Sequence, residues 1–295
     1  MDTRQLLQEC LEYIDTHVTE ALTLEELAGH SGYSPWHFSR LFQWTTGLSV
    51  MSYVRARRLA YAAYELGKGR KVIDVALDYG FETHSGFSKA FRRLYGCSPE
   101  KYRMHGQERP PAVPDLPHMD EYSVGGIIME PKFIEMPARR LAGYVMHTST
   151  EDGANSQAIP EFWTAYIHDG RMERLCKENF MGRRAEYGAC FPEDPEDGGF
   201  DYMIGLEVKE GLKVPEEYDV REIPAATYVV FSTPPSDTAG FVHAIQGTWN
   251  YIYNEWFPAS GYEYAPGGVD YELYDERCMK DTGKVCEIYI PIVKK

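Results

Sequence analysis

The sequence has few cysteines, and those it has follow no pattern. The six cysteines are scattered, with no C-x-x-C pair and no histidines at the spacing of a zinc site. Such scatter argues against a structural metal site and against a disulfide framework. We therefore expect no metal, no cofactor and a reducing compartment.

The chain also lacks the segments and motifs of several other protein classes. Its first residues, MDTRQLLQECLEYIDTHV, are amphipathic and acidic, and no stretch approaches the roughly 20 apolar residues that a membrane helix needs. It contains no Ser-His-Asp elbow and no phosphate-binding loop. We expect a soluble cytoplasmic protein without membrane contact and without catalytic residues.

The chain has fewer basic than acidic residues, and this deficit is confined to its second part. The formal net charge is −15. Residues 1–105 contain 13 Lys and Arg against 12 Asp and Glu, whereas residues 106–295 contain 17 against 33. This asymmetry indicates two parts of the chain with different partners, and the length suits about two domains.

A proline-rich stretch separates these two parts. Residues 109–118 read RPPAVPDLPH, and their four prolines remove backbone donors and fix φ. This composition predicts an extended spacer that belongs to neither core. We expect one domain over residues 1–107, a linker over residues 108–127 and a second domain over residues 128–295.

The first part has helical periodicity throughout, with no alternating strand pattern. A helix begins at TLEE, where Thr23 and Glu26 have the spacing of a capping box. Gly32 then supplies a tight turn, Ser34 caps the next helix and Pro35 occupies its first position. A helix, a short turn and a helix make up a helix-turn-helix unit.

This segment is repeated further along the chain. Six residues of the first copy match six of the second, with an offset of 48 before the turn and 49 after it. The matched pairs are Ala28 and Ala76, Gly32 and Gly80, Phe38 and Phe87, Phe42 and Phe91, Gly47 and Gly96, and Ser49 and Ser98. The repeat predicts two helix-turn-helix units in tandem.

The second copy, IDVALDYGFETHSGFSKAFRRLYGCSPEKYR, resembles the signature of the AraC/XylS family of transcription regulators. The resemblance covers residues 8–105. It implies double-stranded promoter DNA and RNA polymerase as partners, and activation as the commoner direction of regulation. The connecting helix, VMSYVRARRLAYAAYEL, would hold the two recognition helices about one DNA turn, ~34 Å, apart.

Polar side chains occupy the exposed faces of the two expected recognition helices. Such side chains can donate to and accept from base edges in the major groove. By position in the resembled family, the expected DNA contacts are Trp36, Ser39, Arg40, Gln43, His84, Ser85, Ser88, Lys89 and Arg92. The candidates for neutralising phosphates are Arg55, Arg57, Arg58, Arg92 and Arg93.

After the linker, short runs rich in Tyr, Val and Ile alternate with helical stretches. IEMPARRLAGYVM and REIPAATYVVF repeat at an offset of about 87, and a Trp-bearing helix follows each copy. We therefore expect a multidomain protein. Its all-α N-terminal domain has two helix-turn-helix units, and its α+β C-terminal domain has two pseudo-symmetric strand-helix-strand-strand modules with a concave surface between them.

This organisation, with the ending WFPASGYEYAPGGVDYELYDER, resembles the GyrI-like effector-binding domain of drug-responsive regulators over residues 128–294. Strand parity puts Glu272 and Tyr274 on one face, and Tyr289 opposite an aliphatic face that should pack on the helices. The mixed face would bind a flat, apolar, cationic effector. The resemblance implies this role for Glu272. The candidate contacts are Glu272, Tyr274, Tyr289, Trp163, Tyr166, Tyr228 and Trp249.

Two other functions for the acidic domain stay open at this point. Glu272 and Tyr274 could activate water, since some GyrI-like proteins resemble small-molecule hydrolases. Alternatively, the acidic surface could bind a partner protein. The sequence favours a ligand-responsive transcription regulator over both.

Overall fold

The computed structural model describes residues 3–46, 48–105, 110–113, 131–150, 154–194 and 199–295. A helical N-terminal domain is followed by a large antiparallel sheet with helices, which confirms the predicted fold class. Apart from residues 110–113, the expected linker lies outside the described residues. Within the described ranges, no helix is both long enough and apolar enough to span a bilayer.

The N-terminal domain is built from helices that follow one another closely. They span Thr3–Thr16 (α1), Leu24–His30 (α2), Pro35–Thr46 (α3), Val50–Gly67 (α4), Val72–Asp78 (α5), His84–Tyr95 (α6) and Pro99–His105 (α7). Helices α2 and α3 form the first helix-turn-helix unit, and α5 and α6 form the second. Helix α4 connects the two units.

The local signals of the first unit act as the sequence predicts. The Thr23 hydroxyl accepts a hydrogen bond from the Glu26 amide at 3.2 Å and caps α2. Gly32 makes the turn at φ 68°, a conformation that L side chains rarely adopt. Ser34 caps α3 through the His37 amide at 3.4 Å.

The second unit repeats this arrangement, which confirms the tandem repeat. Gly80 makes its turn at φ 77°. Thr83 caps α6 by accepting a hydrogen bond from the Gly86 amide at 3.1 Å. The matched core residues are fully buried in both units: Ala28, Phe38 and Phe42 in the first, and Ala76, Phe87 and Phe91 in the second.

A buried ion pair ties α1 to α4. The Arg57 guanidinium donates hydrogen bonds to both carboxylate oxygens of Asp15, and the two side chains are 10% and 4% exposed. Arg57 also donates to the carbonyls of Pro111 and Ala112, at 3.3 and 3.0 Å, and Val113 packs on the first unit's core. Two expectations are therefore wrong. Arg57 was expected to neutralise a DNA phosphate, but it is buried in an ion pair. The linker was expected to belong to neither core, but its start packs on the first unit.

The C-terminal domain consists of a nine-stranded sheet with helices. Its strands span Lys132–Met136 (β1), Arg139–Ser149 (β2), Met181–Asp194 (β3), Gly199–Val208 (β4), Asp219–Ile223 (β5), Ala226–Ser232 (β6), Tyr262–Tyr264 (β7), Asp270–Tyr274 (β8) and Glu287–Lys294 (β9). Its helices span Ala154–His168 (α8), Arg171–Leu175 (α9), Phe241–Tyr251 (α10) and Phe257–Ala259 (α11). A π-helical turn over Ile252–Trp256 joins α10 to α11.

The strand order displays the internal symmetry of this domain. It is β1-β6-β9-β8-β3-β4-β2-β5, with β7 paired to β9 beside it. If β1 is exchanged with β5, β2 with β6, β3 with β8 and β4 with β9, the same order results when it is read from the opposite end. Each module therefore places its first strand at the outer edge of the other module, because β1 pairs with β6 and β5 pairs with β2. The β3–β8 pair lies at the centre.

The two long helices lie on the same face of the sheet. Helix α8 packs on the half that contains β4, and α10 packs on the half that contains β9. The opposite face carries a layer rich in tyrosine. A groove therefore remains between α8 and α10, above the central strands β3 and β8.

The second helix-turn-helix unit shares its core with the C-terminal domain. Phe91 and Tyr102 belong to the same buried cluster as Tyr253 and Phe257, whereas the first unit has a core of its own. Gly96, at φ 70°, lies so close to Phe257 that a Cβ there would clash with the ring. The two domains are thus in direct, close-packed contact.

The buried ion pair gives a test of the first unit. Replacing the carboxylate in Asp15→Ala should lower this unit's free energy of unfolding by about 3 kcal/mol, because the Arg57 charge is left buried without its partner. Pulse proteolysis in urea measures the change. Asp78→Ala removes a half-exposed partner of Arg70 and should cost about 0–1 kcal/mol. Equal losses in both variants would contradict the assigned role of Asp15.

Candidate DNA-binding and effector sites

The exposed face of α3 presents an aromatic ring beside a cation. Trp36 is 68% exposed, and the Arg40 guanidinium lies 5.0 Å from its ring centroid. Gln43 is exposed one turn further along, and Ser39 is half-buried between them. This face carries the donors and the flat surface that readout in a major groove requires.

The matching face of α6 differs from the expectation at one position. Ser85, Lys89 and Arg92 are exposed, as is His84, whose Nε2 lies 3.2 Å from a carboxylate oxygen of Glu100. The Ser88 hydroxyl, in contrast, is buried without a hydrogen-bond partner. The hydroxyl is therefore not exposed for a DNA contact in this conformation, although the residue itself is half-buried, as Ser39 is in the first unit.

Among the arginines near these helices, Arg58 also has a structural role. Its guanidinium donates to the carbonyls of Val18 and Glu20, so it holds the segment after α1. The expectation that Arg58 neutralises a phosphate is not supported by this geometry. Arg55 and Arg93 remain exposed.

A cavity of about 850 Å³ occupies the groove between α8 and α10. Its size is within the range of small-molecule binding sites. Aromatic side chains and two carboxylates line it. They are Trp163, Phe241, Trp249, Tyr274, Glu186 and Glu272.

The Glu272 carboxylate is held by the aromatic side chains around it. Its two oxygens accept hydrogen bonds from the Trp249 indole at 2.7 Å and from the Tyr274 hydroxyl at 2.6 Å. Burial and the charge of Glu272 raise the pKa of Tyr274 well above its usual value. Trp163 lies against Tyr274, with ring centroids 4.7 Å apart.

A second carboxylate, Glu186, was not identified from the sequence. It is 7% exposed, accepts a hydrogen bond from the Tyr166 hydroxyl at 2.7 Å, and pairs across strands with Tyr274. Burial raises its pKa above the usual 4.5. Glu186 and Glu272 are far apart in the sequence. They line the same cavity only because β3 pairs with β8. Glu186 is one of five charged residues in MGRRAEYGACFPED, so the residues of this strand contained no signal that singled it out.

A glycine makes room for the aromatic wall. Gly188 lies opposite Glu272 in the sheet, and a Cβ at this position would clash with the Tyr202 hydroxyl. That hydroxyl accepts a hydrogen bond from the Trp163 indole at 2.8 Å. Gly188 therefore permits the ring positions that shape one side of the cavity.

Of the expected effector contacts, the structure brings Trp163, Trp249, Glu272 and Tyr274 together at the cavity. Three other assignments are wrong. Tyr228 and Tyr289 belong to the opposite face of the sheet, and Tyr166 is fully buried beneath the cavity wall.

Cross-strand register explains the error at Tyr289. Tyr271 pairs with Tyr289, and Glu272 pairs with Ile288, so the aliphatic face of β9 is continuous with the Glu272 face of β8. Paired residues in a sheet point to the same side. The alternation within each strand was predicted correctly, but the relation between the two strands was reversed.

A smaller cavity of about 50 Å³ lies beside the first and is lined by His105, Cys190 and Asp270. Their ligand atoms lie within 4.8 Å of one another, a geometry that could hold a metal ion. The Lys101 ammonium, 2.8 Å from Asp270, already provides a positive charge there. Lys101 and His105 outweigh the opposing effect of burial and lower the pKa of Asp270 to about 2.

Comparison with known proteins assigns each half of the chain. A family model for a helix-turn-helix domain matches residues 27–105, and one described as an integron-associated effector binding protein, Cass2, matches residues 132–292. The transcriptional activator AarP of Providencia stuartii is 39% identical over 100 residues, 34% of this chain and 74% of AarP. The regulatory protein SoxS of Salmonella typhimurium is 38% identical over 104 residues, 35% of this chain and 97% of SoxS.

Among solved structures, the integron cassette protein Cass2 of Vibrio cholerae resembles this chain with a TM-score of 0.36 and 18% identity. The match covers 55% of this chain and 95% of that protein. At this TM-score the likeness adds no weight, and the assignment rests on the two family models and the two sequence relatives. The chain belongs to the AraC/XylS family of DNA-binding transcription regulators and carries a C-terminal effector-binding domain of the Cass2 family.

Proposed function

We propose that this regulator activates transcription from a specific promoter when a lipophilic cation occupies the cavity between α8 and α10. The observation that carries the proposal is the combination of two carboxylates, Glu186 and Glu272, with indole and phenol rings in one cavity. Aromatic faces attract cations, and a carboxylate offsets the cost of taking the ligand's charge out of water.

The charges around the cavity favour a cation over an anion. Glu272 lies among Trp249, Trp163 and Tyr274, so a flat ring can stack while its charge is compensated. Lys284 also lines the cavity, but its ammonium donates to the Cys278 carbonyl at 2.8 Å. The ligand class we propose is therefore a bulky aromatic cation, and tetraphenylphosphonium is a suitable probe.

Binding fits the geometry of Glu272 better than hydrolysis does. A general base needs an oxygen free to take a proton from water. Both Glu272 oxygens already accept short hydrogen bonds from Trp249 and Tyr274, and the raised pKa of Tyr274 disfavours its ionised form. We therefore propose that the domain is a receptor and has no catalytic role.

The proposals that this chain activates transcription and binds a promoter rest on its similarity to the named relatives. AarP is named a transcriptional activator, and we propose the same direction here, with RNA polymerase as the partner at the promoter. Such a regulator acts in the cytoplasm, where its DNA lies. We propose base or phosphate contacts for Trp36, Ser39, Arg40, Gln43, His84, Ser85, Lys89 and Arg92.

A substitution on α3 tests the proposed readout. Arg40→Ala should weaken binding to a duplex selected from a random pool by about 1–3 kcal/mol, more than it weakens binding to unselected duplex. Fluorescence anisotropy at fixed salt measures both. The control Arg55→Ala removes an exposed charge from α4 and should weaken both duplexes alike. If Arg40→Ala behaves in the same way, Arg40 is a phosphate contact.

Neutralising either cavity carboxylate tests the ligand class. Glu186→Gln and Glu272→Gln should each lower the affinity for tetraphenylphosphonium about tenfold, equivalent to about 1.4 kcal/mol. Isothermal titration calorimetry measures this on the full chain. Glu173→Gln removes a carboxylate that is 74% exposed on α9 and should leave the affinity unchanged. Unchanged affinity in all three variants would place the cation elsewhere.

A further inference from the structure

The effector cavity is not confined to the C-terminal domain. Gly67 at the end of α4, and Met104 and His105 at the end of α7, line it together with α8 and α10. The Asn155 side chain of α8 holds this end of α7 by donating a hydrogen bond to the Met104 carbonyl at 3.0 Å. A ligand that fills the cavity would therefore contact both domains.

His105 stands between the cavity and a buried cluster of charges. Its ring stacks on the Trp249 indole with centroids 3.7 Å apart and planes at 4°. Its Nε2 lies 3.3 Å from the carboxylate of Asp270, which also pairs with Lys101 at 2.8 Å. Because Trp249 donates to Glu272, contacts lead without interruption from the cavity carboxylate to α7.

From α7 the contacts continue to the second recognition helix. Tyr102 packs edge-on against Phe91 and Tyr95 of α6, with centroids 5.3 and 5.2 Å apart. Its hydroxyl donates to the Asn254 side chain at 2.9 Å, in the π-helical turn that follows α10. Close-packed interiors transmit small displacements rather than absorbing them, so a movement of α10 or α7 reaches α6.

The smaller cavity leaves room for such a displacement. Its 50 Å³ adjoin His105, Trp249 and Glu272. This volume is too small for the effector but large enough for a ring to shift. The contact between His105 and Trp249 can therefore change without opening the rest of the core.

We propose that the effector acts on DNA binding through His105. A cation that pairs with Glu272 weakens its hydrogen bond from Trp249, and the released indole shifts His105, α7 and the second recognition helix. This inference rests on the proposed effector site. It assigns control to the second helix-turn-helix unit, since the first unit has a separate core.

The coupling can be measured as a change in DNA affinity caused by tetraphenylphosphonium. In the unmodified chain, the dissociation constant for the selected duplex should change at least about fivefold when the cation saturates the cavity. At a cation concentration that calorimetry shows to saturate each variant, His105→Gln should reduce this change to less than about twofold. His168→Gln, the matched control, removes an exposed imidazole at the end of α8, outside the residues that line the cavity, and should retain the full change.

Two results would overturn parts of this account separately. If His105→Gln binds the cation and keeps the full change in DNA affinity, the assigned role of His105 is wrong. If the unmodified chain does not bind the cation, the proposed ligand class is wrong, and a measurement without ligand decides the coupling.

That second measurement is hydrogen exchange of two variants that each neutralise one cavity carboxylate. Glu272→Gln weakens the contact to Trp249 and should speed exchange in α6 and α7 about fivefold, with α3 unchanged. Glu186→Gln disturbs Tyr166, whose core beneath α8 includes Met104 of α7 but lies apart from the core of α6, and should leave α6 unchanged. Equal exchange in α6 for both variants would contradict the coupling, with or without an effector.

Discussion

A buried ion cluster between the two domains is the contact on which the rest of the structure depends. Asp270 is fully buried at the start of a central strand. Its charge is balanced by the Lys101 ammonium, and the His105 ring lies 3.3 Å away, both from the last helix of the DNA-binding domain. Removing such charges from water costs several kcal/mol for each ion, and separating them afterwards leaves that cost uncompensated. The two domains are therefore held in one arrangement by groups that neither domain can leave unpaired.

The buried cores do not follow the division of the chain into an N-terminal and a C-terminal domain. The second helix-turn-helix unit joins the sheet domain in one core, and Gly96 allows Phe257 to reach the end of its recognition helix. The first unit keeps a separate core that is closed by Arg57 and Asp15. The two DNA-binding units therefore differ in their packing. The first has a core of its own, and the second is packed against the effector domain.

Local signals in the sequence predicted much of this fold. Thr23, Gly32 and Ser34 set their turn by short-range geometry, and the repeat predicted the second unit for the same reason. Glu272 was predicted at the cavity from strand parity and from the resemblance to the GyrI-like domain. Long-range relations were not accessible. The face of Tyr289 depends on cross-strand register, and the burial of Arg57 depends on a partner 42 residues away.

The shared core is tested most directly by native-state hydrogen exchange of the unmodified chain in graded urea. Such exchange groups amides into units that open together. The most protected amides of α6 and β9 should show the same opening free energy and the same urea dependence, while those of α3 should form a separate group. If α6 opens together with α3 and independently of β9, the second unit belongs with the first and this account is wrong.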